Sequence, residues 1–255
     1  MDVSNSCVTR LRALRSNRRF LLLAVVAATA TALFTPTALA NDQGIRYYSG
    51  GITKQGVRST IWTPNSSEPS IGLGDAMFSS VQTTDNVLNG NMMQIGPLYQ
   101  DAMGTSFDCQ FGNNGLTLKI VTEVQHNGAY SCFDNGSASW STGYLSSVVE
   151  GTDHYWRSYL NGAFTNIRTQ WSSTCGNDAC QVRAMGEEVS NVYGYWPAKF
   201  AGSGSTQWQL WNGSNWSTIG TTDMYVAYLP DQPSSHFSLT GTYPTGIWSF
   251  IYSNP

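Results

Sequence analysis

Charge is scarce in this chain: Asp, Glu, Lys and Arg together make up 11% of its 255 residues. Beyond the first twenty residues there is no basic run or patch, which argues against nucleic acid and against an anionic membrane surface as partners. Histidine is rarer still. His126, His154 and His236 have no metal-ligand spacing, and the zinc motif H-E-x-x-H is missing. The G-x-S-x-G nucleophile elbow, the Walker loop and the dinucleotide-binding glycine pattern are missing as well. Conventional serine, zinc and nucleotide chemistry therefore has no local signature, and no cofactor and no metal are expected. No helical period is sustained, and no internal repeat is found.

The single long apolar run, Phe20 to Phe34, lies near the start. Five arginines (Arg10, Arg12, Arg15, Arg18, Arg19) precede it, and Ala38-Leu39-Ala40 follows before Asn41-Asp42. That is the order of a cleavable secretory signal. The run holds about fifteen residues, short of the roughly 20 that span a bilayer, and no stop-transfer pattern follows. The pair Arg18-Arg19 before Phe20-Leu21-Leu22 weakly resembles a twin-arginine signal, so two export routes stay open. The expectation is a secreted chain with a signal at 1–40, one domain at 41–255, and no stable membrane insertion after cleavage. Without residues 1–40 the formal net charge is near −7, eight basic against fifteen acidic residues, rather than −3.

Cys7 falls in the signal, which leaves Cys109, Cys132, Cys175 and Cys180. An even number in an exported chain points to disulfides, with three possible connectivities. Proximity favours Cys109–Cys132 and Cys175–Cys180. Zinc is the rival use of these residues, but no C-x-x-C pair supports it.

What the chain has in plenty is Ser, Thr, Asn, Gly, Trp and Tyr, the composition of short strands joined by polar turns. Strands are expected at 56–63, 77–83, 91–99, 116–126, 155–164, 166–172, 188–195, 206–211, 224–228 and 246–252. Asn89-Gly90, Asn127-Gly128, Asn135-Gly136 and Asn161-Gly162 are the turn signals among them. Such spacing predicts an all-β, antiparallel two-sheet sandwich, a barrel being the other solution. In 117–125, Leu118, Ile120 and Val124 share one face, while Thr117, Lys119, Glu123 and Gln125 share the other. In 207–211, Trp208 and Leu210 oppose Gln207, Gln209 and Trp211. The second set is either a ligand-facing wall or an ordinary solvent face.

Several of these segments also resemble the neprosin domain. Gly56-Val57-Arg58-Ser59-Thr60-Ile61-Trp62-Thr63-Pro64-Asn65 is similar to its opening strand, which precedes a second one like Met77-Phe78-Ser79-Ser80-Val81. Asn91-Met92-Met93-Gln94-Ile95-Gly96 resembles the strand with the first catalytic position of neprosins and of the related fungal glutamic peptidases. Tyr193-Gly194-Tyr195-Trp196-Pro197 and Ser205-Thr206-Gln207-Trp208 follow in order. The resemblance implies a concanavalin-like, neprosin-like sandwich whose concave side carries a carboxylate and a second Glu or Gln, and which cleaves extended polypeptide. Gln94 then takes the place of the oxyanion donor. Gln207 takes the place of the essential Glu, and an amide cannot act as a general base. Glu123, on a strand similar to one that also bears a Glu beside the peptidase cleft, becomes the leading carboxylate. Glu187 and Glu188 are weaker candidates. Lys119, on the face of Glu123, would depress its pKa. The competing expectation is a non-catalytic secreted module for glycan or peptide, with Gln209, Trp211 and Lys119 as binding residues. Nine tryptophans suit stacking on sugar rings as well as core packing. A structural or matrix protein is the third reading.

Overall fold

The structure is a computed structural model, and it describes residues 43–49, 55–72, 76–84, 91–101, 109, 115–170, 181–189, 194–200, 208–218, 224–228, 237–241 and 248–254. All of them belong to one unit, Ala40–Pro255. In chain order the strands begin with β1 (Gln43–Ser49), β2 (Gly56–Trp62), β3 (Ser70–Ile71), β4 (Ala76–Thr84), β5 (Met92–Asp101) and β6 (Leu116–His126). Next come β7 (Ala129–Ser137), β8 (Gly143–Glu150), β9 (Trp156–Leu160), β10 (Ala163–Thr169), β11 (Gln181–Val189) and β12 (Gly194–Trp196). The last are β13 (Lys199–Phe200), β14 (Gln209–Trp211), β15 (Trp216–Thr218), β16 (Met224–Tyr228), β17 (Phe237–Gly241) and β18 (Trp248–Asn254). No helix occurs among the described residues.

These strands form two antiparallel sheets. A seven-stranded sheet runs β16-β1-β11-β4-β5-β6-β7; an eleven-stranded sheet runs β10-β9-β8-β2-β13-β18-β12-β3, with β14, β15 and β17 paired off that path. The two-residue period of a strand divides each one between faces. Met77 and Val81 of β4, Met93, Ile95 and Tyr99 of β5, and Ile120 and Val124 of β6 point to the inter-sheet core. There they meet Val57 and Ile61 of β2, Val148 of β8, Trp156 of β9, and Trp196 and Phe200. Each such side chain contributes about 1.5–3 kcal/mol when fully buried. Trp196 also ties the layers by donating its indole N–H to Ser79 Oγ at 2.9 Å.

The opposite face of the seven-stranded sheet is covered too. Ala76, Phe78, Leu98, Val121, Cys109 and Cys132 form a smaller cluster there, and every residue of β4 and of β5 is buried. The Cys109–Cys132 disulfide spans a sequence separation of 23, as proximity predicts. Cys175 and Cys180 lie outside the described residues.

The β4–β5 ladder is pinched in the middle. One register holds throughout, pairing Phe78 with Leu98 and Val81 with Ile95, but the residues between them are not paired. Pro97 has no N–H to give a ladder. At Gly96 a Cβ would stand 1.9 Å from the Ser79 carbonyl oxygen, so only glycine fits.

The structure revises four sequence expectations. Segment 155–164 is not one strand but parts of β9 and β10, turned at Asn161-Gly162 with φ of 50° and 82°. Asn127-Gly128 makes the same kind of turn between β6 and β7, as expected. Asn135-Gly136, in contrast, sits inside β7, where the register against β6 shifts between Lys119 and Val121. Segment 188–195 straddles the end of β11 and the start of β12. The strands β7 and β8 were not foreseen at all; the residues of β7 are mostly small and polar. The Asn89-Gly90 turn lies outside the described residues.

Candidate functional site

Register brings four side chains into a row across the covered outer face of the seven-stranded sheet. Gln82 of β4 is opposite Gln94 of β5, Gln94 is opposite Glu123 of β6, and Glu123 is opposite Cys132 of β7. Gln94 Nε2 donates to Glu123 Oε2 at 2.5 Å. Gln94 Oε1 accepts from Ser80 Oγ at 2.8 Å and from Gln82 Nε2 at 3.0 Å.

The amide therefore has a defined orientation. An ionised carboxylate can only accept, so the end of Gln94 that faces it must be the NH2 group. The oxygen end is left for the two donors on β4. Gln82 Nε2 also lies 2.8 Å from Met92 Sδ. All four polar residues are buried: Gln94 is 1% exposed and Glu123 3%. Burial of such groups is tolerable only when they are hydrogen-bonded, and the network supplies those bonds.

The far side of the carboxylate meets the disulfide. Glu123 Oε1 lies 3.1 Å from Cys109 Sγ. A half-cystine carries no proton, so this is a packing contact, not a hydrogen bond. Cys109, Glu123 and Cys132 form the only cluster of potential metal ligands among the described residues. A metal would need thiolates, and sulfurs joined to each other do not offer them.

The remaining candidates are distributed as follows. Gln94 and Glu123 are together. Lys119 of β6 is paired with the Asp134 carboxyl of β7. Burial pushes that carboxyl up, but the Lys119 hydrogen bond, the Gly136 N–H and the ammonium charge more than offset it, leaving it below the usual carboxylate range. Gln209 and Trp211 belong to β14, on the eleven-stranded sheet, and do not join the row. Gln209 Oε1 accepts from Arg58 Nε at 2.7 Å. The Arg58 guanidinium lies over the Trp216 ring at 4.2 Å, and Trp216 packs on Trp211 at 5.3 Å. Trp208 and Leu210 point inward, as the alternation predicts. Gln207 lies outside the described residues. Glu187 and Glu188 pair through the backbone of β11 with Phe78 and Met77.

Sequence reading missed Ser80 and Gln82. The available signal is their polarity at alternate positions between Phe78 and Thr84. Without the β4–β5 register, nothing links them to Gln94.

No family model matches the sequence, and no curated protein matches it. Solved structures do. The fold is similar to that of scytalido-glutamic peptidase with a transition state analog inhibitor, at a TM-score of 0.54 and 12% identity, covering 84% of this chain and 99% of that one. It is similar to a second structure of scytalido-glutamic peptidase, with a peptide based transition state analog, at a TM-score of 0.53 and 10% identity, covering 84% and 100%. The chain has the glutamic-peptidase β-sandwich fold.

Proposed function

We propose that this chain is an exported, neprosin-like peptidase of the glutamic type, in which Glu123 and Gln94 act on extended polypeptide. The observation that carries the reading is the 2.5 Å contact between Gln94 Nε2 and Glu123 Oε2, in a fold shared with glutamic peptidases. Glu123 takes a proton from water as the water attacks the scissile carbonyl, then returns it to the leaving amine. The Gln94 N–H, aimed by Ser80 and Gln82, donates to the oxyanion that develops. Glu123 thereby supplies the carboxylate that Gln207 lacks. Residues 1–40 act as the cleavable export signal, and the disulfide agrees with an oxidising destination.

The test is incubation of the purified chain with a mixed peptide library from acidic to neutral pH, read by mass spectrometry. Glu123→Gln is expected to lower turnover by roughly 10²–10⁴-fold, the usual range for a general base. Unchanged turnover would reject its role.

A second reading is a secreted binding module on the same scaffold. It is favoured by one observation: the pair is almost wholly buried, so an incoming peptide must first displace whatever covers it. Absence of cleavage at every pH, together with retention on a glycan column, would select this reading.

A further inference from the structure

Trp62 ends β2 between neighbours of very different size. Gly143 of β8 is opposite it on one side and Lys199 of β13 on the other. A Cβ at Gly143 would stand 2.8 Å from Trp62 Cε2 and 3.0 Å from Cζ2. The indole therefore rests against a glycine backbone, and a larger residue would push it away. It is 43% exposed, whereas Ile61 and Thr63 beside it are buried. Next to the ring lies a groove of about 370 Å³, whose other walls are Thr63, Pro64, Asn65, Glu68, Ser141 and Lys199.

Those walls are fixed in advance. Thr63 Oγ1 donates to the Ser139 carbonyl at 2.7 Å and accepts from the Thr142 N–H at 3.0 Å. The Ser141 N–H donates to the Pro64 carbonyl at 2.9 Å. Across the groove, the Glu68 carboxylate accepts from the Asn65 N–H at 2.9 Å, and the Glu68 N–H donates to the Asn65 carbonyl at 2.9 Å. A ligand entering such a site has little ordering left to impose.

We propose that this groove binds a pyranose unit of a neutral glycan. A pyranose presents a flat C–H face to an indole and a rim of hydroxyls that both donate and accept. The groove meets the first with Trp62. It meets the second with an ammonium, a carboxylate, an amide and a hydroxyl, a small set of polar groups around an apolar floor. Glu68 in the wall and the acidic balance of residues 41–255 disfavour an anionic sugar. A peptide is disfavoured because β2 is already paired on both sides, by β8 and β13, leaving no backbone edge for strand addition here. The site is on the eleven-stranded sheet, and it stands or falls independently of peptidase activity at Gln94 and Glu123.

The test uses the full secreted chain, titrated separately with gluco-, xylo-, manno- and chito-oligosaccharides up to about 10 mM. Affinity is read by titration calorimetry in every protein, and in wild type the Trp62 indole N–H resonance, assigned by its loss in Trp62→Phe, reports where the sugar sits. A saturable shift with at least one series is expected, with affinity at least tenfold weaker in Trp62→Ala and also reduced in Gly143→Val, which keeps the indole but displaces it. Peptide-library cleavage, if present, should be unchanged in Trp62→Ala. No shift with any sugar, equal affinity in Trp62→Ala, or saturation only by a mixed-tetrapeptide control would overturn the assignment.

Discussion

The two candidate regions of this molecule are built in opposite ways. On the seven-stranded sheet, Gln82, Gln94 and Glu123 are polar groups under cover, held by bonds to one another. On the eleven-stranded sheet, Trp62 is an apolar ring in the open, held by the absence of a side chain at Gly143. The first arrangement is expensive to disturb, because each member left alone would be a buried unpaired group. The second is cheap to disturb, because water already reaches much of the ring. A buried network can tune chemistry but needs uncovering; an exposed platform can meet a ligand at once but does little chemistry.

Mutational energetics should expose that difference. The largest stability effect is expected where the cover is fastened. Replacing Cys132 with Ser, which opens the Cys109–Cys132 link, should cost about 3 kcal/mol in chemical denaturation for a loop of this length. Next comes Gln94→Leu, which strands the Ser80 and Gln82 donors. Gln82 keeps its contact with Met92 Sδ, so a total loss of about 1–3 kcal/mol is expected, and a stability equal to wild type would mean that the row is not a network.

Ser80→Ala removes one donor and leaves Gln82 in place. It should lower stability by about 1 kcal/mol. If the amide is aimed for catalysis, it should also lower kcat with KM little changed. Trp62→Ala should stay within about 0.5 kcal/mol of wild type, the range of ordinary surface changes. A larger loss would show that the indole is structural, which would blunt the contrast.

Another small effect concerns pH. The folded-state pKa of Asp134 is lowered, so the Lys119–Asp134 pair contributes fully above the ordinary carboxylate pKa of about 3.9. That contribution fades as pH falls through the folded value. Because the pair is partly exposed, it should amount to no more than about 1 kcal/mol in acid-unfolding curves of wild type against Lys119→Met.

Much of the architecture is readable from alternation. The strand at 116–126 has the predicted bounds, and Glu123 does face away from Ile120 and Val124. Alternation assigns a residue to a face, however, and not to a sheet. Gln209 and Trp211 have the right periodicity and nevertheless lie on the sheet opposite Gln94. Nor does it reveal cover. Glu123 was expected on a polar face, and it is buried, with Cys109 Sγ of the disulfide 3.1 Å from its Oε1. The links from Ser80 and Gln82 to Gln94 depend on the register of β4 against β5, which no local pattern encodes. The 155–164 segment was read through its turn because β-formers continue on both sides of Asn161-Gly162.

The central claim, that Gln94 and Glu123 are a working pair, is tested most directly by calorimetric titration with a peptide-based transition-state analogue, comparing wild type with Gln94→Ala and Glu123→Gln. The account predicts saturable binding to wild type and a loss of roughly 100-fold or more in each variant, as when an oxyanion donor or its partner is removed. Equal affinity in all three proteins, or no binding to the wild type, would contradict it.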